Sequence, residues 1–336
     1  MNNIYDIAKL AGVSIATVSR VINGSDKVSS KTRNHVLEVI EEYGYKPNAF
    51  AQGLGLNTMH TVGIIVPVLS DLYMSNAVYY LEQALQERGY TCLLSCSGFS
   101  QEQKELHTSM LIDKHIDALI FVGSTYSGRD VSRSETDYIR AAAQKIPVFI
   151  INGVVEGENI YSSVCDDSQA VFSAVSSLIR SGRKKILFLS ESKSYSAKQK
   201  LLGYEEALNQ AGIPVKGNLR VHLRNDSIHY VRDMLLERMD LDFDAAMCTT
   251  DSIACGVLKF ASARKLRIPE DIEVIGYNNS IISLASEPEL SSIDNHTEDI
   301  CQGTIDRMVE RLKGKKDIIP VLSVPCTLHK RNSTDF

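Results

Sequence analysis

Two rhythms of apolar residues divide the chain. Over the first 45 residues Ile4, Ile7, Ala8 and Ala11 keep a helical interval, and Gly12-Val13-Ser14 interrupts it with a short turn. Ser14 is placed to cap a second helix with the apolar stripe Val18, Val21 and Ile22, leaving Ile15, Ala16, Thr17, Ser19 and Arg20 mostly on other faces. Asn23-Gly24 closes it. A third helix opens at Ser29-Ser30, is expected to bury Val36, Leu37, Val39 and Ile40, and ends at Tyr43-Gly44. Three short helices with a three-residue turn between the first two predict a helix-turn-helix, whose second helix is shaped for the DNA major groove. The competing reading is a protein-interaction bundle. Against it, the outward face of the second helix carries small residues and one Arg, and lacks the large apolar side chains of a partner interface.

From Thr61 onward short solid apolar runs alternate with amphipathic stretches. The runs predict strands over 62–66, 91–95, 118–122, 148–151, 186–189, 245–248 and 273–275, and the stretches predict helices over 75–88, 101–114, 169–181, 198–211 and 252–265. This is a doubly wound parallel α/β plan, repeated twice with a break near 153–163. Such sheets bind ligands outside the carboxyl ends of their strands, and two facing lobes leave a cleft between them.

Composition adds a contradiction. The 336 residues are 44% hydrophobic and 23% charged with 20 Gly and 8 Pro, which excludes collagenous and disordered chains. A net charge of -5 argues, taken whole, against a nucleic-acid partner. Resolved along the chain it does not. Lys9, Arg20, Lys27, Lys31 and Arg33 against Asp6 and Asp26 give residues 1–36 a net +3, while residues 61–336 hold -6. A small basic head precedes a large acidic body. The seven cysteines, at 92, 96, 165, 248, 255, 301 and 326, form no zinc-spaced pair and read as thiols of a reducing cytosol. No signal peptide and no apolar run of 18 residues is present, so the expectation is a cytoplasmic protein with no membrane partner.

The run IYDIAKLAGVSIATVSRVINGSDKVSSKTRNHVLEVIEEYGYKPN resembles the DNA-binding head of the lactose-repressor family of bacterial transcription regulators, through A-x-x-A-G-V-S-x-x-T-V-S-R-V-I-N and the following G-Y-x-P-N. The resemblance continues through the body. It implies a head over 1–46, a hinge over 47–60 and an effector-binding, dimerising body over 61–336 of the two-lobed periplasmic-binding-protein type. The lobes are expected at about 61–160 with 292–320 and at about 161–291 with 321–336, joined by three crossovers. It also implies that Ile15, Ala16 and Arg20 read bases and that Ser14, Thr17 and Ser19 touch phosphates of a double-stranded operator. Arg20 has the fork to pair with guanine O6 and N7, and Ile15 and Ala16 offer apolar contact. In the family the segment 47–56 folds into a hinge helix on the operator, placing Gln52 and Leu54 in the minor groove. Gly53 and Gly55 flank that leucine and disfavour a helix in free protein.

For the cleft, the resemblance implies effector contacts from Asp71, Tyr73, Asn152, Lys200, Asp251 and Asn278. Several depart from the usual pattern. Lys200 replaces an Arg, Asn278 an Asp, and Asn152-Gly153 an Asp-Arg pair, so a plain monosaccharide is not inherited, and a sugar, sugar acid or sugar phosphate is expected. Lys200 and Thr250-Asp251 also resemble the catabolite-control branch, whose corepressor is a phosphorylated carrier protein. Where that branch writes R-P-x-L-x-T, this chain has Glu287-Pro288-Glu289-Leu290-Ser291-Ser292, an acid in place of the arginine. No P-loop, nucleophile elbow, metal-protease or EF-hand motif occurs, so no cofactor or metal is expected. The expectation is therefore a homodimeric repressor with a pseudo-palindromic operator and a carbohydrate-derived effector. The alternative is a sugar-binding protein or enzyme on the same body fold.

Overall fold

The structure is a computed structural model and describes residues 3–45, 58–127 and 133–336. The head consists of α1 (Ile4–Leu10), α2 (Ile15–Ile22) and α3 (Ser30–Glu42). Each start is capped as the sequence requires. Asn3 and Asp6 form a reciprocal capping box on α1, and the Ser14 and Ser29 hydroxyls accept from the amides of Thr17 and Thr32. Ile7, Ala8, Ala11, Val18, Val21, Val36 and Val39 close one small core. Leu37, expected in it, is instead 46% exposed, because α3 turns only the Val36 and Val39 side toward α1 and α2.

The body begins with β1 (Thr61–Val66), α4 (Leu72–Glu87), β2 (Thr91–Cys96), α5 (Gln101–Ile112), β3 (Ala118–Val122), α6 (Asp137–Ala143), β4 (Val148–Ile151) and β5 (Ile160–Cys165). It continues through α7 (Asp167–Arg180), β6 (Ile186–Ser190), α8 (Tyr195–Gln210), β7 (Arg220–His222), α9 (Ile228–Glu237), β8 (Ala245–Cys248), α10 (Asp251–Ala263), β9 (Glu273–Tyr277), α11 (Ile281–Ala285) and β10 (Ser291–Asp294). The last elements are α12 (Thr297–Leu312), β11 (Val321–Val324) and β12 (Thr327–His329). Two six-stranded sheets result, ordered β11-β5-β4-β3-β1-β2 and β12-β10-β9-β8-β6-β7. All pairings are parallel except β12 against β10. The inner strands are solidly apolar because helices cover both faces of each sheet: all five residues of β3 and of β9 are buried.

Sheet membership corrects the expected lobe boundaries. The expected break at 153–163 is where β5 forms, and β5 pairs with β4 inside the first sheet. β10 belongs to the second sheet and β11 to the first, paired with β5. The chain therefore crosses between lobes at 165–167, 294–297 and 324–327. The physical reason lies in the register: Val324 pairs with Cys165, so the first and third crossings run side by side at one edge of both sheets. α12 returns to the first lobe, where Ile300, Cys301, Ile305 and Met308 enter its core.

Candidate nucleic-acid interface and interlobe cleft

On α2 the apolar stripe points inward and leaves the opposite face to solvent. Ile15, Ala16 and Arg20 are exposed together, and among the described residues the Arg20 guanidinium has no hydrogen bond or ion pair. Ser14 and Thr17 share a 2.9 Å hydroxyl contact beside the first turn, and Ser19 is half-buried. An exposed helix face with small side chains around one unpaired Arg can approach base edges closely enough for a bidentate contact. The hinge candidates Gln52 and Leu54 lie outside the described residues.

Between the lobes lies a cavity of about 930 Å³. Asp71, Tyr73, Asn152, Lys200 and Asn278 line it, brought together by loops and helix starts at the carboxyl ends of the strands. Asp71 caps α4, accepting from the Met74 amide at 2.9 Å, and burial raises its carboxyl above the ordinary range. Asn152 sits at φ 65°, and its Oδ1 is buried without a partner. Asn278 sits at φ 91°, and its Oδ1 accepts from Asn295 Nδ2 at 3.1 Å. Lys200 is 7% exposed, and its ammonium donates to the Thr249 carbonyl at 3.1 Å.

Asp251 is the exception, and the structure corrects its expected role. It opens α10 but turns under the cleft, where it is 1% exposed. Its carboxylate accepts from the Ser280 amide at 2.6 Å, the Ser280 hydroxyl at 2.8 Å and the Ser292 hydroxyl at 2.5 Å. Its neighbours Thr249 and Thr250 line the cavity in its place. Asp251 ties α10 to the β9 and β10 ends instead of facing a ligand.

Sequence reasoning missed several cleft residues. Phe99 follows β2, Glu191 to Ser194 and Ser196 follow β6, and Arg224 to Asp226 follow β7. The available signal was position alone, immediately after a strand; β7, with three residues and an exposed-polar pattern, gives no apolar run to announce it. The charges facing the cavity balance: Asp71, Glu135, Glu191 and Asp226 stand against Lys104, Lys193, Lys200 and Arg224.

Beneath the cleft a buried cluster reaches the crossings. The Tyr277 hydroxyl donates to Asp167, which also accepts from the Cys165 thiol at 3.3 Å, and Cys326 lies 3.5 Å from the same hydroxyl. Cys165 and Cys326 belong to the first and third crossings. The hydrogen bond with Cys326, reinforced by burial, pushes the Cys165 thiol up.

These features have close counterparts. Residues 3–48 match the lacI family of bacterial regulatory proteins, and residues 175–334 match a periplasmic binding protein-like domain. An HTH-type transcriptional regulator of Lachnoclostridium phytofermentans is 43% identical over 99% of this chain and 100% of its own length. The chain belongs to the lacI family. Catabolite control protein A of Priestia megaterium is 33% identical over 98% of both chains. Among solved structures, the transcriptional regulator CelR in complex with cellobiose superposes with a TM-score of 0.72 at 26% identity, covering 99% of this chain and 100% of that one. As a lacI-family member the protein is a DNA-binding transcriptional regulator with a helix-turn-helix head and a two-sheet parallel body. Its relatives are regulators, which sets aside the reading as an enzyme on the same body fold. Among the described residues no helix is long and apolar enough to cross a membrane, and no group of three or more His, Cys, Asp and Glu is placed to hold a metal.

Proposed function

We propose that this regulator is a cytoplasmic repressor that binds a pseudo-palindromic operator as a homodimer and is controlled by a carbohydrate-derived effector in the interlobe cleft. The cleft itself carries the reading: a large polar cavity lined from both lobes, which three crossings of the chain join, so that whatever fills it biases the angle between the lobes. Balanced charge around it favours a neutral ligand over a sugar acid or phosphate. The cellobiose complex of CelR supports a sugar. Ile15, Ala16 and Arg20 are assigned to base edges, Ser14, Thr17 and Ser19 to phosphates, and Gln52 and Leu54 to the minor groove. Asp71, Tyr73, Asn152, Lys200 and Asn278 are assigned to the effector.

A second copy has a surface to meet. β2 is the outer strand of the first sheet, and Leu93 and Leu94 are exposed on it with Tyr79, Leu106 and Met110 exposed on α4 and α5; Ile281 and Leu284 stand out from α11 on the other lobe. Exposed apolar residues along a sheet edge mark an association surface. The similarity to catabolite control protein A keeps the phosphoprotein corepressor as a second reading. Exposed Glu287 and Glu289 would repel an acidic phosphoprotein at the segment where the resemblance places docking.

The test is binding of the full chain to a library of palindromic DNA at several salt concentrations. Specific retention of one palindrome, with affinity falling steeply as salt rises and shifted by a sugar, is the expected result. A dimer that prefers no sequence over bulk DNA would overturn the proposal.

A further inference from the structure

The cleft is longer than the family-derived contacts need. In the first sheet the crossings lie at the β5 and β11 edge, Asn152 follows β4, and Phe99 follows β2 at the opposite edge. Those two positions are three strand intervals apart, which at about 4.8 Å per interval is roughly 14 Å, longer than one pyranose ring. The second sheet repeats the arrangement. Its crossings lie at the β12 and β10 edge, and Arg224, Asn225 and Asp226 follow β7 at the far one. The volume of about 930 Å³ sits at the upper end of the ~300–1,000 Å³ range of small-molecule sites.

What the far end holds is unlike the rest. Phe99 is 55% exposed, belongs to no core cluster among the described residues, and lines the cavity with Ser100 beside it and Asn225 across it. An aromatic ring kept in water at a concave polar site gains no core packing among the described residues to offset its exposure. Its negative face suits the polarised C–H groups on the flat side of a pyranose ring. On the same lobe wall, Thr125 Oγ1 and Asn152 Oδ1 are buried without hydrogen-bond partners, positions a poly-hydroxylated ligand would complete.

We propose that Phe99 forms an outer sugar subsite, so that the effector is a neutral disaccharide or longer oligosaccharide. One ring lies at Asp71, Asn152, Lys200 and Asn278, and the next stacks on Phe99 between Ser100 and Asn225. This rests on the carbohydrate reading of the cleft. Phe99 sets the chain length the cleft accepts, and the inner polar residues set which ring enters first.

The experiment is calorimetric titration of the full-length protein, its Phe99→Ala variant and its Phe99→Tyr variant. The probes are glucose, galactose, fructose and xylose, and the disaccharides cellobiose, maltose, lactose, sucrose and xylobiose. At least one disaccharide should bind the wild type about tenfold or more tighter than its constituent monosaccharides. Phe99→Ala should abolish that margin, and Phe99→Tyr, which keeps the ring, should retain it. Monosaccharides binding as tightly as their disaccharides would overturn the subsite while leaving the effector reading intact. So would a Phe99→Ala protein that keeps the margin. Binding of no sugar in the panel would overturn the effector reading and the subsite with it.

Discussion

Lys200 Nζ stands 3.5 Å above the ring centroid of Tyr277. The contact joins the interlobe cleft to the lobe crossings: Lys200 lines the cavity, and the Tyr277 hydroxyl donates to buried Asp167 beside Cys165 and Cys326. A ligand that draws the ammonium off the ring changes the far end of the same side chain. Cutting the path without touching the cleft tests this. Tyr277→Phe keeps the ring under Lys200 and removes the hydroxyl, leaving the Asp167 carboxylate short of a donor at 2% exposure. The expected cost is about 1–3 kcal/mol of stability, read as a lower urea midpoint at unchanged slope. The variant should also show a smaller effect of sugar on operator affinity. A Tyr277→Phe protein with wild-type midpoint and a wild-type effect of sugar on operator affinity would remove Tyr277 from the route.

Gly203 fixes how α8, which carries Lys200, lies on α7. A methyl group added there would sit 2.1 Å from the Ser168 carbonyl oxygen and 3.0 Å from the Phe172 amide nitrogen. Both are backbone atoms of α7, held by its helical hydrogen bonds, and cannot swing aside as a side chain would. Alanine gains up to ~1 kcal/mol of helix propensity over glycine, but overpacking of this kind costs about 1–3 kcal/mol and at times more. Gly203→Ala should therefore unfold at lower denaturant. A Gly203→Ala protein as stable as wild type would mean that the two helices do not approach this closely.

How far the sequence discloses this molecule depends on which force decides each part. β1, β3 and β4 are legible because strands covered on both faces must be solidly apolar, as Ala118 to Val122 are. The head is legible because Ser14, Gly12 and the Val18–Val21 stripe act within a few residues of one another. β7, β11 and β12 are not, being short edge strands with half-exposed patterns, and pairing rather than composition makes them strands. The lobe boundaries escape for the same reason, since only the register of Val324 on Cys165 reveals which sheet β11 joins. In the cleft, Asp251 and Asn278 look equivalent as polar residues after a strand. Burial separates them, and burial is a property of the packed fold.

Asp251 accordingly yields a prediction about pH. Burial raises its carboxyl above the ordinary range, so the folded chain holds this proton more tightly than the unfolded one. With a raised folded value, the contribution to stability is fullest below the unfolded value near ~3.9 and is lost as pH rises through the folded value. Asp251→Asn does not titrate. Its carbonyl can keep the Ser280 amide and hydroxyl, and the Ser292 hydroxyl can rotate to accept from its amide. Measured by urea unfolding, the stability of Asp251→Asn relative to wild type should rise as pH increases from about 4 through the raised folded value. Asp251→Ala, which strands the Ser280 amide, should cost about 1–3 kcal/mol. Neither variant should change sugar affinity as a lost ligand contact would. A flat pH difference, or a selective loss of sugar binding in Asp251→Asn, would return Asp251 to the cleft.

The strongest prediction for the head concerns Arg20. Its guanidinium is exposed in the last turn of α2, beside Ile15 and Ala16, and unpaired among the described residues. A residue held for stability would have a partner, whereas one held for base reading must keep its fork free until DNA arrives. Arg20→Ala should lose about 1–3 kcal/mol of discrimination at one base pair in each half-site. The remaining positions should keep their order, because phosphate contacts set register without reading sequence. Arg20→Lys separates charge from geometry. It should preserve the salt dependence of binding, which follows the number of phosphates neutralised, and yet lose much of the preference, since a point charge cannot bridge guanine O6 and N7 as the fork does. The measurement is affinity for operators carrying each of the four bases at every half-site position, for all three proteins. An Arg20→Ala profile identical to wild type would place base reading elsewhere on the head.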